Sequence, residues 1–312
     1  GDATVFVEKY LEPSRHIEVQ VLVDSEGHGI SLGERECSIQ RRHQKLVEET
    51  PSPVVSEAVR AKLGRWALSA CRAAGYTNAA TVEFIRDAEA RYYFLEINAR
   101  LQVEHPVTEW VTGVDLVEAQ IRIASGEPLG ALCRVLRPRG WAMECRIQAE
   151  DPDDGFRPSP GRILLYRPPE GPRIRVDSGV AEGDEVSRFY DSLLAKLVVW
   201  GKDRESAIRI MEGALAEFRI LGVATTLPFH RRVMADEEFR RGDIDTGFVS
   251  RLLEKQPPDL DGDLETVALI AAAHLRQRRR GRGDSFPVGT WTLSGRQGQQ
   301  QRGGFRNPWG SR

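Results

Sequence analysis

Glu96-Ile-Asn98-Ala-Arg100-Leu-Gln102-Val-Glu104-His-Pro106 sets two carboxylates, two amides and a guanidinium at the end of one apolar strand. Just upstream, Thr81-Val-Glu83-Phe-Ile85 reads as a second strand with an acid of its own, and Asp87-Ala-Glu-Ala90 as the turn between them. A hairpin closed symmetrically about Glu89 and Ala90 puts Glu83 directly across from Glu96. Side chains so opposed lie about 4.5–5.5 Å apart at Cβ, and like charges there repel. Two facing carboxylates are unfavourable unless a cation stands between them. Mg²⁺ is the natural occupant, because it takes hard oxygen ligands and shares them with phosphate. Asn98 falls on the strand face of Glu96 and can join the pair. The competing reading is a solvent-facing hairpin with its polar residues outward; the density of polar groups at one strand end favours a site.

Working outward, Ile17–Val23 and Ile30–Glu34 alternate in polarity around Asp24-Ser-Glu-Gly-His-Gly29, the pattern of an antiparallel hairpin. Val5–Tyr10 reads as an earlier strand. A helix is expected from Ser56 to Ala74, with Val59, Leu63, Trp66, Ala67, Ala70 and Cys71 on one side and Gly75 as its stop. Another runs from Asp115 to Ser125, closed by Gly126 and Pro128. Composition changes across Arg134–Gly140, a boundary. A strand-rich second part follows, with strands at Ala142–Gln148, Ile163–Tyr166, Ile174–Asp177 and Ala195–Trp200, a main helix at Glu205–Phe218 and a short one at Pro228–Met234. Beyond Gln256, Leu264–Leu275 has helical character, and Arg276–Gly283 and Gly295–Arg312 are basic and rich in Gln and Gly, as a solvated linker is.

The 312 residues suffice for two domains, and the 40% apolar and 29% charged content is that of an ordinary soluble protein. A net charge of −2 gives no global field for nucleic acid or acidic membranes. No apolar run reaches membrane-spanning length. Cys37, Cys71, Cys133 and Cys145 are scattered without a paired spacing, which fits reduced thiols in a cytoplasmic or organelle-matrix protein.

Further polar sets stand out. His16, Gln40, His43 and Lys45 can donate to several oxygens, as phosphate and ribose require; Arg41–Lys45 also reads as a plain basic surface. Cys37 beside them is taken as a packed thiol. Arg100 and Gln102 are two apart and share an extended-chain face. A guanidinium fork matches a planar oxyanion such as bicarbonate, and Gln102 with the Val103 backbone can complete its cradle. Glu104 can act as a general base if its distance to the proton suits; an Arg100–Glu104 salt bridge is the alternative. Arg146 alone reads as an exposed strand arginine, and Glu8-Lys9-Tyr10-Leu11 as an ordinary strand end.

Glu83, the run Glu96–Glu109, Glu8–Leu11, Cys37–Lys45 and Glu144-Cys-Arg146-Ile closely resemble the biotin carboxylases, ATP-grasp enzymes of acetyl-CoA, propionyl-CoA, methylcrotonyl-CoA and pyruvate carboxylases. The likeness extends to about Leu253. It implies an α/β (α+β) fold: the C-terminal part of an ATP-grasp domain over 1–133, a biotin carboxylase C-terminal domain over 134–253, and 254–312 as a linker or the start of a further domain, partly disordered. The family carries an N-terminal domain and a glycine-rich lid ahead of this point, so the chain is expected to be a fragment. The resemblance makes Glu8, Lys9 and Leu11 an adenine hinge, with Leu11, Ile85 and Val223 sandwiching the base. The Gly222–Thr226 loop lacks the family's usual Lys and Asn, which puts Val223 in question. His16, Gln40 and His43 would face the nucleotide, and Lys45 the bicarbonate side. Glu83, Glu96 and Asn98 would hold Mg²⁺ or Mn²⁺; Arg100, Gln102 and Val103 would hold bicarbonate. Glu104 would deprotonate it, and Arg146 would stabilise the enolate of biotin.

The implied reaction is carboxylation of biotin on a carrier protein by ATP and bicarbonate, through carboxyphosphate. No Met-Lys-Met biotinylation sequence occurs in the chain, so the biotin is expected on a biotin carboxyl carrier protein or domain elsewhere. The other implied partners are a second copy, as a homodimer, and a carboxyltransferase subunit; nucleic acid and membrane are not. The implied place is the cytoplasm, or the mitochondrial matrix in a eukaryote. Two other readings compete: another ATP-grasp ligase such as the carbamoyl phosphate synthetase large subunit, and a truncated assembly module without turnover.

Overall fold

The computed structural model describes residues 4, 5, 7–132 and 138–255. Cys133, most of the expected 134–140 boundary, the 264–275 helix and the two basic stretches lie outside the described residues. Residues up to Lys255 form one compact unit.

Its frame is an eight-stranded antiparallel sheet. The strands are β1 (Arg15–Val23), β2 (Gly29–Arg41), β3 (Gln44–Thr50), β4 (Asn78–Arg86), β5 (Tyr92–Asn98), β6 (Trp141–Gln148), and two later strands, Ile174–Ser178 and Leu193–Gly201. Across the sheet the order is Ile174–Ser178, Leu193–Gly201, β6, β3, β2, β1, β4, β5. Strands from both halves of the sequence thus share one ladder, joined where β3 pairs with β6.

Helix α1 (Glu57–Ala73) is capped by Ser56, whose side chain accepts from Val59 N, and is followed by Gly75 at φ 62°. It buries Leu63, Ala67 and Cys71 against alternate residues of β1 and β4, among them Ile17, Val19, Val82 and Phe84. Trp66, expected on that buried side, is 42% exposed and lies under the Lys62 ammonium. It sits at the margin of the stripe, where an indole keeps one face in water. The helix Arg204–Glu217, capped by Asp203, packs on the same sheet face farther along, over Met143, Cys145 and Leu197. On the opposite face lie α2 (His105–Thr112) and α3 (Leu116–Ala124). Helix α2 packs through Val107 and Val111 against Ala142 and Val198, and α3 through Leu116, Ala119 and Ile123 against Leu22 and Leu32. The site forms between this second face and α2.

Val5–Tyr10 is not a strand: its described residues pair with nothing in a ladder, and Val5 and Val7 are 87% and 97% exposed. An apolar run without a partner strand does not hold an extended segment in place. The expected Ile163–Tyr166 strand is broken into Gly161–Arg162 and Leu165–Arg167, which pair with different partners. Helix α2 was not anticipated; Pro106 lies near its start, where proline is welcome.

Candidate active site

The acidic hairpin closes as the spacing predicts at the position that matters: Glu83 is the ladder partner of Glu96, and Thr81 of Asn98. The route differs. Near the turn the strands pair as Arg86–Tyr92, Ile85–Tyr93 and Phe84–Phe94, and a register shift then leaves Leu95 unpaired before Glu83 meets Glu96. An extra residue in one strand is a β-bulge. Without it Glu96 would pair with Val82 and face α1. With it, Phe94 and Ile97 stay on the α1 face while Glu96 and Asn98 cross to the face of Glu83.

Glu83 is already met by cationic and amide donors. Lys45 Nζ and Gln102 Nε2 both bond its Oε1 at 3.1 Å, and His16 Nε2 lies 2.9 Å from Oε2. Burial would raise the Glu83 carboxyl, but His16, Lys45 and Gln102 together hold it well below the usual carboxylate range. Lys45 therefore relieves the repulsion that seemed to demand a metal ion. Its ammonium, largely buried, also bonds Glu18 Oε2 at 2.5 Å and Glu104 Oε1 at 2.6 Å. Two buried sets, His16 with Glu18 and Glu83, and Glu18 with Cys37 and Glu104, bring ligand atoms close enough to bind a metal, yet Lys45 and Arg35 supply positive charge there. Glu96, by contrast, is exposed, and its side chain accepts from Asn98 Nδ2 at 3.1 Å. Glu83, Glu96 and Asn98 offer oxygen donors on one strand face, a set that fits Mg²⁺ or Mn²⁺ in kind.

Beneath them, Arg35 is fully buried and makes five hydrogen bonds. Nε donates to Glu18 at 2.5 Å, Nη1 to Gln20 at 2.8 Å and Thr108 at 2.9 Å, and Nη2 to Thr81 and Gln102 at 3.1 Å each. Gln102 is thus fixed on both sides, its oxygen by Arg35 and its nitrogen donating to Glu83. Arg100, two residues earlier, is exposed and bonds its neighbour's carbonyl, Leu101 O, at 3.2 Å. The two do not share an extended face, because β5 ends at Asn98 and the chain turns into α2. Nor does Arg100 pair with Glu104. That carboxylate takes Lys45 on one oxygen and Arg146 Nη2, at 2.9 Å, on the other.

Arg146 is not a solvated strand arginine either. Its Nε bonds Glu48 Oε1 at 2.6 Å, and its carbonyl accepts from His230 Nε2 at 2.8 Å and Thr226 Oγ1 at 3.0 Å. Lys196, the ladder partner of Arg146, donates to Val103 O at 3.0 Å. Lys196, Gln102, Val103 and His105 line a cleft of about 450 Å³ beside the loop that carries Arg100.

Farther out, Gln40 is half-buried as the ladder partner of Lys45, while His43 is exposed at the β2–β3 turn with φ 66°. Ile85 is half-buried and pairs with His16. Glu8 and Lys9 are exposed and Leu11 is half-buried. Val223 packs at the margin of the core under the Arg204–Glu217 helix, beside Gly161. The C-terminal segment reaches the β1 entrance at Gly242, whose carbonyl accepts from Arg15, and at Thr246, whose N donates to Ser14 O at 2.9 Å. Cys37 is a buried thiol, pushed up by its burial. Sequence reasoning missed Glu18, Arg35, Glu48, Lys196 and Thr246. The first four sit in alternating strands, where a polar position reads as solvent-facing.

A mixed sheet-and-helix unit carries a buried cationic and acidic cluster, with the exposed Glu96 across the ladder from the buried Glu83. The comparisons place the unit in the ATP-grasp class. Residues 1–132 match the carbamoyl-phosphate synthase L chain ATP binding domain, and residues 144–251 the biotin carboxylase C-terminal domain. The biotin carboxylase of Nostoc sp. is 52% identical over 252 residues, 81% of this chain and 56% of that one. Biotin carboxylase 1 of Bacillus subtilis is 51% identical over 80% of this chain and 56% of its own length. Among solved structures, the biotin carboxylase domain dimer of the Hydrogenobacter thermophilus 2-oxoglutarate carboxylase, in complex with MgADP, ADP and bicarbonate, superposes with a TM-score of 0.77. It is 46% identical, over 80% of this chain and 56% of that one. The chain belongs to the biotin carboxylase family, and it spans about half the length of the curated relatives it matches.

Proposed function

We propose that this chain carries the bicarbonate- and metal-binding part of a biotin carboxylase, which carboxylates carrier-borne biotin at the expense of ATP. The observation that supports it most is the convergence of Lys45, Glu83, Gln102, Glu104 and Arg146 from four separate segments onto one buried network. The solved relative bound to MgADP, ADP and bicarbonate supports an adenine nucleotide and bicarbonate as its ligands. When bound, Mg²⁺ or Mn²⁺ would neutralise charge on the transferring phosphoryl group, held by Glu83, Glu96 and Asn98. Arg100, exposed and bonded through Nη1 to the Leu101 carbonyl, would turn its fork to bicarbonate, and Gln102 and the Val103 backbone flank that approach. Glu104 would take the proton of bicarbonate with a lone pair left on one of its oxygens. Deprotonated bicarbonate would then attack the γ-phosphorus of ATP, giving carboxyphosphate with ADP as leaving group. Carboxyphosphate releases CO₂ and phosphate, the phosphate takes the N1′ proton of biotin, Arg146 balances the enolate oxygen, and N1′ attacks the CO₂. His16, Gln40 and His43 are proposed to face the nucleotide and Glu8, Lys9, Leu11 and Ile85 its base; Val223 is the weakest member of that set.

We assign residues 1–133 to the ATP-grasp part and 134–253 to the biotin carboxylase C-terminal domain. The proposed partners are a biotin carboxyl carrier, a second copy of the chain and a carboxyltransferase subunit. A thiol-reducing compartment such as the cytoplasm is supported by Cys37, Cys71 and Cys145, all free. Among the described residues, no helix is long and apolar enough to cross a membrane.

The test is Glu96→Gln in a protein extended to the full length of its relatives. Bicarbonate-dependent ATP hydrolysis should fall by about a hundredfold or more, the scale of losing one charge-stabilising group. Unchanged turnover would remove Glu96 from the metal site. Stimulation by ammonia instead of free biotin would point to a carbamoyl phosphate synthetase.

A further inference from the structure

Glu48 on β3 and Glu144 on β6 are direct ladder partners, and both are fully buried. Of their four carboxyl oxygens, Glu48 Oε1 accepts from Arg146 Nε at 2.6 Å. Glu48 Oε2 and both oxygens of Glu144 have no hydrogen-bond partner. Opposed ladder positions hold their Cβ atoms about 4.5–5.5 Å apart, so the carboxyls are within mutual reach. Helix α2 and Val198, the other ladder partner of Glu144, close the space with apolar side chains. Two ionised carboxylates cannot coexist there; one proton between them removes the repulsion and supplies the missing donor.

The surrounding charges do not change this. Arg146 touches Glu48 alone of the two. Lys196, on the adjacent strand, bonds Val103 O and pairs with Asp177. Lys45, earlier on β3, is bound to Glu18, Glu83 and Glu104. Glu104, ahead of α2, adds negative charge and favours protonation of the pair. Burial, with Glu48 next to it, pushes the Glu144 carboxyl well above the usual carboxylate range.

We propose that Glu48 and Glu144 share one proton, resident on Glu144, whose O–H donates to the idle Oε2 of Glu48 and fixes Glu48 as the carboxylate that orients Arg146. Glu144 is thereby a positioning residue for the biotin half-reaction, an inference that rests on the reading of Arg146 given above. A neutral acid suits the task because it lends a hydrogen bond without competing for the guanidinium.

The protonation is tested by infrared difference spectroscopy of the full-length enzyme, wild type against Glu144→Gln, at neutral pH. The carbonyl stretch of a protonated carboxyl should be present in the wild type and gone in the variant. Its absence from the wild type, as a cation bridging two carboxylates would produce, overturns the proposal. The positioning role is read from kinetics. Glu144→Gln keeps a donor for Oε2 and should retain kcat for biotin carboxylation within about twofold. Glu144→Leu removes the donor and should lower that kcat about tenfold, the scale of a buried acceptor left unpaired, while sparing ATP hydrolysis without biotin. Equal losses in the two variants would overturn the donor role. If the infrared band behaves as expected but Glu144→Leu depresses both activities alike, the shared proton stands and the assignment of Arg146 falls.

Discussion

At the level of single residues, the polar groups that make the site are those whose burial a sequence does not announce. Glu83 and Glu96 were visible because they sit in a short hairpin whose turn sets their register. Lys45 was visible only as one of several basic residues, and its partners Glu18 and Glu104 lie 27 and 59 positions away. The cation between acids is, in the structure, an ammonium. His230 is a similar case. It is fully buried, and its Nε2–H bonds the Arg146 carbonyl while its Nδ1 finds no donor. Burial lowers the ring to about 4. The folded protein therefore keeps His230 neutral, whereas the unfolded chain takes up a proton as pH falls through the ordinary value of 6.5. Stability from this group is present above that value and is lost as pH drops toward about 4, to a total of ~3 kcal/mol. Urea unfolding at neutral pH and at pH ~4.5 should show a steeper acid loss for the wild type than for His230→Gln. Parallel losses would mean the ring is solvated.

At the level of elements, the hairpins and the helices α1 and α3 were legible because each carries its own signals: an alternating pair around a turn, or a capping side chain at one end and glycine at the other. The bulge at Leu95 was not, since nothing local distinguishes a strand with one extra residue from a turn shifted by half a position; both place Glu96 opposite Glu83. Nor was the two-sided burial of β1. Its alternation of Ile17, Val19 and Val21 with Glu18 and Gln20 resembles a strand with one wet face, yet all nine residues are buried. The polar face is dry because Arg35 satisfies it, binding residues of β1, β4, α2 and the Gln102 loop. Arg35→Met should leave Glu18 buried with only Lys45 to balance it, and should lower unfolding stability by about 3–5 kcal/mol. Denaturant titration measures this; an unchanged midpoint would show that water replaces the guanidinium and that the network does not hold the elements together.

At the level of the whole folded unit, the two stretches recognised by separate family models are one sheet. Val47, Glu48, Glu49 and Thr50 of β3 pair with Cys145, Glu144, Met143 and Ala142 of β6. The same junction is tied on its other face by Arg204, whose Nε and Nη2 both bond the Glu49 carboxylate, and by Trp141 Nε1, which donates to it at 2.6 Å. Arg15 Nη2 reaches the Gly242 carbonyl at 2.7 Å, 227 residues along. Composition showed a change near residue 134, and the sequence offers no way to see that a strand on each side of it would become ladder neighbours. Such a junction is a central part of the core, since cutting it would expose Val47, Met143 and Cys145, all at most 2% exposed in the sheet. Residues 1–255 should therefore unfold in one cooperative transition, with calorimetric and van't Hoff enthalpies in agreement. Residues 1–137 and 138–255 produced separately should each lack a cooperative transition, and mixing them should restore one, because the edges that β3 and β6 expose alone are complementary to each other. Two independent transitions in the intact chain would show instead that the shared ladder contributes little, and that each family-matched stretch carries a sufficient core.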